Sequence, residues 1–302
     1  MSRDSACCPF CGAATESRWG SDGTRALYQC DDCEIVFYPR PIEYSADYGN
    51  YYPYLKEFDG PRFEWELGIR RAKYRRQLSV IRALHPAART LLDVGAGPGY
   101  FCRIALDEGW EARGVESSPP AVEAGRREYS IQYLALDQVH EESMDVITCF
   151  HVLEHMEDPA GFLTTLRKKL RPGGVLVVHV PNNEPLTFAI RNILRPRGRA
   201  AHVRLSHCYY PEHLTGFSPV SLPRVVTRHG FELIRVRTVS MWSAFYDPFF
   251  LRNYFRDAGG RPIAKIDYRR LVRHTARSAV DGFGSLLGRG DWVVGHFRAV
   301  SI

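Results

Sequence analysis

The run Thr90-Leu91-Leu92-Asp93-Val94-Gly95-Ala96-Gly97-Pro98-Gly99-Tyr100-Phe101 leaves few folds open to the chain that contains it. It reads as a short buried strand, a glycine-rich turn and the start of a helix. Glycines at 95, 97 and 99 let the backbone turn sharply and lie against a ligand without Cβ interference, and the partly positive helix end faces that ligand. Gly95, Ala96, Gly97, Gly99 and Tyr100 are therefore candidate ligand-binding residues. A dinucleotide fingerprint places its third glycine one residue later and offers the helix end to a pyrophosphate. Here Asp93 stands just ahead of the first glycine, and a carboxylate there repels phosphate.

That acid suits a ligand carrying an ammonium and a sulfonium, the charge pattern of S-adenosylmethionine. Downstream, Glu111-Ala112-Arg113-Gly114-Val115-Glu116 reads as the next strand and ends in an acid. It lies at about the 20-residue distance expected of a carboxylate that grips ribose hydroxyls, so Asp93 and Glu116 join the candidate set. Strands are expected over 90–94, 111–116, 145–150 and 175–180, with a weak one near 131–134, and helices over 100–108, 121–128 and 159–170. Such alternation predicts an α/β fold with a parallel sheet and right-handed crossovers. Ligands collect at the carboxyl ends of those strands, which adds Phe150 and His151 to the cofactor set.

Cys8-Pro9-Phe10-Cys11-Gly12 and Cys30-Asp31-Asp32-Cys33 form two C-x-x-C knuckles. The spacing fits tetrahedral zinc on Cys8, Cys11, Cys30 and Cys33. Four thiolates leave no open position, so the expected zinc ribbon over 1–40 is structural and supplies folding energy to a segment too small for its own core. Cys102, Cys149 and Cys208 stand singly and read as core or loop thiols. Met1-Ser2-Arg3-Asp4 has no basic-then-apolar leader pattern and no apolar window reaches 18 residues, so a soluble, cytoplasmic protein without a transmembrane segment is expected. The formal charge of +6 favours an anionic small molecule and falls short of a nucleic-acid footprint.

Residues 41–89 read as a Tyr-rich linker (Tyr44, Tyr48, Tyr51, Tyr52 and Tyr54), packed on the main domain or closing over it, followed by a helix over 63–84. On that helix Arg70, Arg71, Arg75 and Arg76 read as a solvated face. A basic loop is expected over 189–207. The stretch 240–290, with Trp242, Phe245, Tyr246, Phe249 and Phe250 before Arg269 and Arg270, reads as a cap over the acceptor pocket, in preference to a membrane-surface element.

Asp93-Val94-Gly95-Ala96-Gly97-Pro98-Gly99, Gly114-Val115-Glu116, His151-Val152-Leu153-Glu154-His155, Leu170-Arg171-Pro172-Gly173-Gly174 and Pro181-Asn182, in that order, resemble the successive motifs of class I S-adenosylmethionine-dependent methyltransferases. The resemblance implies a Rossmann-like seven-stranded sheet over 90–302, the last strand antiparallel, with 232–238 and 292–300 as the final pair. His151-x-x-Glu154-His155 also satisfies an inverted zinc-protease pattern, but its place at a strand mouth within a complete methyltransferase series argues against a metal there. His151 is expected near the cofactor, with Glu154 and His155 beginning a helix.

The knuckles together with Tyr210-x-x-His213 resemble the zinc-bearing sugar C-methyltransferases that act on nucleotide-linked keto-sugars. That resemblance implies His213 as catalytic base beside Tyr210, with His151 as the alternative; the bland reading is that Glu212 and His213 cap the next helix. The function expected is methyl transfer to the carbon or oxygen of a small-molecule acceptor, such as a nucleotide-linked sugar or other anionic metabolite. The alternatives are a zinc-ribbon RNA methyltransferase and a non-catalytic S-adenosylmethionine-binding protein. Against the first stand Asp4, Glu16, Asp22, Asp31, Asp32 and Glu34 in the ribbon, and against the second the complete set of site glycines and acids.

Overall fold

The computed structural model describes residues 5–21, 25–39, 60–193, 212–239, 280 and 282–300. The cysteine-bearing segment forms β1 (Ala6–Cys7), β2 (Ala14–Thr15), β3 (Arg18–Ser21), β4 (Ala26–Gln29) and β5 (Val36–Phe37). Next come α1 (Gly60–Leu84), β6 (Thr90–Val94), α2 (Tyr100–Asp107), β7 (Glu111–Val115), α3 (Pro119–Tyr129), β8 (Met144–Phe150), α4 (Pro159–Lys169), β9 (Leu170–Pro181) and α5 (Leu186–Ile193). The chain ends with β10 (Thr215–Gly216), α6 (Ser221–Thr227), β11 (Phe231–Val239) and β12 (Trp292–Ala299).

The main sheet has the order β11-β12-β9-β8-β6-β7. β7, β6, β8 and β9 are mutually parallel, and β12 runs antiparallel to both β9 and β11. Burial on both faces explains the largely apolar sequences of β6, β8 and the second half of β9, since helices cover a parallel sheet on each side. Alternate residues serve the two layers. Leu91, Val146, Val175 and Val177 pack with residues of α1, α2 and α3, whereas Leu92, Ile147, Leu176 and Val178 pack with α4, α6 and Phe10, Tyr28 and Ile35 of the N-terminal unit. Strand order reverses about β6, which places a ligand crevice at its carboxyl end.

The weak strand expected near 131–134 is reduced to a single bridge, so the described sheet has six. Tyr133 meets Gly114 alone: Gly114 N–H donates to Gln132 O and Leu134 N–H to Gly114 O, both at 2.9 Å. A tight turn over Leu136–Gln138 follows at once, closed by Ala135 N–H donating to Gln138 Oε1 at 3.1 Å, and it takes the backbone off the edge. The expected basic loop also starts late, because residues through Ile193 belong to α5, whose first turn forms on the Pro185 carbonyl. Its remainder, the Tyr-rich linker, Cys208, Tyr210 and most of the 240–290 insertion lie outside the described residues.

β10 joins a different sheet. Thr215 pairs with Phe37 and Gly216 with Val36, giving the N-terminal sheet the order β10-β5-β4-β3. Among the described residues no helix is long and apolar enough to cross a membrane.

Candidate active site

A cavity of about 750 Å³ opens at the carboxyl ends of β6, β7 and β8. Its floor is the glycine turn. Gly95 (φ 76°) and Gly97 (φ 53°) both lie in the left-handed region, and a Cβ on Gly95 would meet Val152 Cγ2 at 2.2 Å. The turn is pinned from several sides. Gly95 and Ala96 N–H donate to Val115 O at 2.8 and 3.0 Å. Gly97 N–H donates to Glu116 Oε2 at 2.7 Å, and Gly97 O accepts from Tyr133 Oη at 2.9 Å. Glu116 Oε1 accepts from the Ser117 and Ser118 N–H groups at 2.9 and 2.8 Å. Backbone donors thus use three of the about four lone-pair sites of that carboxylate, so one is left for a ligand hydroxyl and a second hydroxyl must share.

Asp93 lies beneath the turn, 3 % exposed, and accepts from Thr148 Oγ1 at 2.6 Å. Burial raises its pKa to about 7, against the lowering effect of the Thr148 bond, and the neighbouring Glu116 adds to the rise. The cavity is lined by Asp93, Gly95, Ala96, Gly97, Tyr100, Glu116, Phe150 and His151. Gly99 is not part of that lining. It sits behind the turn at φ 81°, where a Cβ would meet Ile131 Cγ1 at 2.6 Å, so its role is to let α2 close on the Ile131 segment. None of Ala135, Leu136, Asp137 and Gln138 lines the cavity.

The opposite wall carries an imidazole cluster. His151 leaves β8 at φ 59°, a conformation that costs a β-carbon residue about 1 kcal/mol or more, and its N–H is held by His179 O at 2.8 Å. Glu154, 1 % exposed, lies in a single tight turn over Leu153–His155, where a longer helix was expected. His151 Nδ1 and His155 Nε2 approach Glu154 Oε1 at 3.4 and 4.0 Å. Burial pushes the Glu154 carboxyl up, but His151, His155 and His213 outweigh it and hold the group below its ordinary value. His155 Nδ1 donates to Glu212 O at 2.6 Å, which fixes the proton on that nitrogen because a carbonyl only accepts. The His155 and His213 rings stand 4.7 Å apart, and both line the cavity. Ligand atoms of Glu154, His155 and His213 lie within 4.8 Å of one another.

Residues 67–236, more than half of the chain, match the family model described as a methyltransferase domain. The chain belongs to the class I S-adenosylmethionine-dependent methyltransferase family. Ubiquinone biosynthesis O-methyltransferase of Xanthomonas axonopodis pv. citri is 30% identical over 119 residues, covering 35% of this chain and 49% of that protein. The protein so named in Psychrobacter cryohalolentis is 28% identical over 166 residues, covering 49% of this chain and 65% of its own. This chain therefore spans about half the length of the curated relatives it matches. A solved S-adenosylmethionine-dependent methyltransferase from Archaeoglobus fulgidus aligns with 76% of this chain and 92% of its own at a TM-score of 0.47 and 16% identity.

The four knuckle cysteines do not line that cavity but form a cluster of their own. The sulfur atoms of Cys8, Cys11, Cys30 and Cys33 lie within 4.8 Å of one another, with Cys11 and Cys30 at 3.7 Å. Tetrahedral zinc with Zn–S of about 2.3 Å sets its sulfurs about 3.8 Å apart, so the cluster fits such an ion. Burial raises the Cys8 thiol to about 12 and lifts Cys33 as well, whereas at Cys11 burial is outweighed by the Ala13 backbone bond and the neighbouring cysteines, which hold it below its ordinary value. Cys33 N–H donates to Cys30 Sγ at 3.3 Å, as the knuckle spacing anticipates. Cys7 is exposed and stands outside the cluster, whereas Cys102 and Cys149 are buried in the core.

Two residues of the methyltransferase site escape the sequence reading. Tyr133, which braces Gly97, sits in the stretch with the weakest strand pattern. Arg70 lines the cavity beside Glu66, with which it is ion-paired, and its guanidinium lies 4.7 Å over the Tyr100 ring. Its neighbours Arg71 and Arg75 do face outward, towards Asp107 and Glu108. The signal for Arg70 was its register: it falls on the apolar stripe between Leu67 and Tyr74, not on the polar face. The capping reading of Glu212 and His213 fails, because β10 and not a helix comes next. Ser218 Oγ performs that role for α6, accepting from Ser221 N–H at 3.1 Å.

Proposed function

We propose that this protein transfers a methyl group from S-adenosylmethionine to a hydroxyl oxygen of a small-molecule acceptor, with His213 as the base. The observation that carries the reading is that one cavity joins the glycine turn to His213. Its volume of about 750 Å³ lies in the range of small-ligand sites. The likeness to O-methyltransferases supports oxygen as the acceptor atom. When bound, S-adenosylmethionine supplies a methyl already activated by its sulfonium. Asp93 offers negative charge to the ammonium, Glu116 accepts from the ribose, and Arg70 fits the carboxylate. His213 would take the hydroxyl proton as the acceptor oxygen gains the methyl group, the sulfur leaving as a neutral thioether. Zinc on Cys8, Cys11, Cys30 and Cys33 is structural in this reading.

The test is mass spectrometry of products made from methyl-labelled S-adenosylmethionine and a panel of phenolic, sugar hydroxyl and nucleotide-linked keto-sugar acceptors. A methyl ether is expected. A carbon-methylated keto-sugar, which the Tyr210-x-x-His213 resemblance implies, would replace the oxygen assignment. His213→Gln should lower turnover roughly 10²–10⁴-fold while leaving S-adenosylhomocysteine affinity intact. Unchanged turnover would remove His213 from the role.

A second reading draws on the buried Glu154 carboxylate, neither of whose oxygens has a hydrogen-bond partner among the described residues. With His155 and His213 it offers a His₂Glu set able to hold a divalent cation, which would bind the acceptor oxygen directly and lower its pKa. This reading predicts an equivalent of metal lost in Glu154→Gln and retained in Cys33→Ser.

A further inference from the structure

His213 reaches the cavity on a segment that the N-terminal unit holds. Leu214, Thr215, Gly216 and Phe217 are all buried, and their backbone bonds go two ways. Leu214 N–H donates to Glu154 O at 2.8 Å, within the imidazole cluster, while Leu214 O accepts from Tyr38 N–H at 3.1 Å. The next two residues, β10, are the edge strand of the cysteine-bearing sheet, opposite Phe37 and Val36. A pairing only two residues long has little order of its own; Glu212 O accepts from His155 Nδ1 at 2.6 Å and Phe217 O from Asn183 N–H at 2.8 Å on either side of it, and β5 supports the residues between.

β5 is held by β4, with Tyr28 opposite Phe37 and Gln29 opposite Val36, and by the second knuckle. Cys30 N–H donates to Ile35 O at 3.0 Å and Glu34 N–H to Cys30 O at 2.8 Å, so the turn that carries Cys33 feeds directly into Val36. Helix α6 clamps the same turn from the methyltransferase side. Arg224 Nη1 donates to Glu34 Oε1 at 2.8 Å and to Asp32 O at 3.3 Å, and Arg228 Nη1 lies 3.0 Å from Cys33 Sγ. The glycine turn has no such dependence, since Val115, Glu116 and Tyr133 hold it.

We propose that the four-cysteine centre positions His213: an ordered knuckle fixes Val36, Phe37 and Tyr38, these fix Leu214–Gly216, and the imidazole one residue upstream is thereby set in the cavity. The metal state of the N-terminal unit then governs proton removal and leaves cofactor binding alone. Val36, Phe37 and Tyr38 are positioning residues in this scheme. It rests on the reading of the cysteines as a metal site and of His213 as the base.

The experiment is hydrogen exchange by mass spectrometry on the full chain as purified, after dialysis against a strong chelator, and after zinc is returned. Peptides spanning 26–38, 212–218 and 90–99 are followed, together with S-adenosylhomocysteine affinity by calorimetry. The His213 Cε1–H resonance, assigned by its loss in His213→Gln, is followed in parallel. Removal of zinc should strip protection from 26–38 and 212–218 together and shift the His213 resonance, and zinc should restore both; 90–99 and the affinity should not change. Loss of protection at 26–38 with 212–218 and the His213 resonance unmoved would overturn the proposal. If the purified protein holds no zinc, or chelation unfolds the whole chain, the metal reading is judged on that result alone. The coupling is then decided by Arg224→Ala/Arg228→Ala, which should loosen the same two peptides, and by Arg224→Lys/Arg228→Lys, which should restore them; retained protection at 212–218 with 26–38 loosened overturns it in that arm as well.

Discussion

Asp93 shows why a site residue can be legible by type and still surprise by behaviour. An acid ahead of a glycine turn was readable as a partner for a cationic ligand, but its burial, which raises its pKa to about 7, is a property of the folded site. A raised carboxylate pKa means that the unliganded fold is stabilised at low pH, and that this contribution is lost as pH rises from about 4 through about 7. On the proposed role of Asp93, a bound ammonium would favour the ionised form, so cofactor binding would expel the proton below that pH. S-adenosylhomocysteine affinity should therefore be flat above about pH 7.5 and fall towards tenfold per unit as pH drops below about 6.5. Calorimetry in buffers of differing ionisation enthalpy should detect proton release at pH 6, and Asp93→Asn should bind weakly with no such release. Tyr133 makes the complementary case, since no local pattern marks a lone tyrosine in a failing strand. Tyr133→Phe removes the donor to Gly97 O and should weaken S-adenosylhomocysteine by about 0.5–1.5 kcal/mol, roughly two- to tenfold in Kd; an unaltered Kd would show that Glu116 alone holds the turn.

Elements were legible where a period or a punctuating residue was strong. The strand expected over 90–94 is β6 itself, and the helix expected over 100–108 differs from α2 by a single residue, because an apolar run and a glycine turn mark both ends. β9 begins at Leu170, five residues ahead of expectation, since Leu170 pairs with Met144 before the turn at Gly173 interrupts the ladder and Val175 resumes it opposite Val146. Side-chain bonds that pin strand starts are invisible to periodicity, and Asp145 is the instance here. It accepts from Arg89 and Thr90 N–H at 2.8 and 2.9 Å and is ion-paired with Arg171, tying the starts of β6 and β8 to the turn in β9. Burial pushes its pKa up, but the bonds from Thr90, Arg89 and Arg171 prevail and hold it at about 2. Because the folded pKa is depressed, this stabilisation is present above about pH 4 and is lost as pH falls towards 2. Asp145→Ala should lower unfolding free energy at pH 7 by about 1–3 kcal/mol in urea titration, with the gap to wild type closing near pH 2. A gap that persists in acid would place the loss in packing.

At the scale of the molecule, the sequence separated an N-terminal cysteine unit from a methyltransferase domain but could not show that β10, from the second, joins the sheet of the first. β10 is two residues long, carries no alternation and follows a stretch without pattern, so nothing local assigns it to either unit. That pairing bears on what acceptor the protein can serve. The unit that closes over the His213 segment is the one an RNA methyltransferase would turn towards its substrate, and residues 1–40 carry six acids against four arginines. Asp31 is spent on Ser17 Oγ at 2.9 Å, and Glu34 on Arg224, so the acids are built into the knuckle and its docking contact. Phosphate binding releases counterions, and log K then falls with log salt by about 0.7 per phosphate contacted on a single strand. This protein should give no salt-dependent anisotropy change with a fluorescent single-stranded RNA between about 50 and 200 mM salt. A slope of about −2 or steeper, lost on Cys33→Ser, would show that the N-terminal unit grips a backbone, and would move the acceptor from small molecule to RNA.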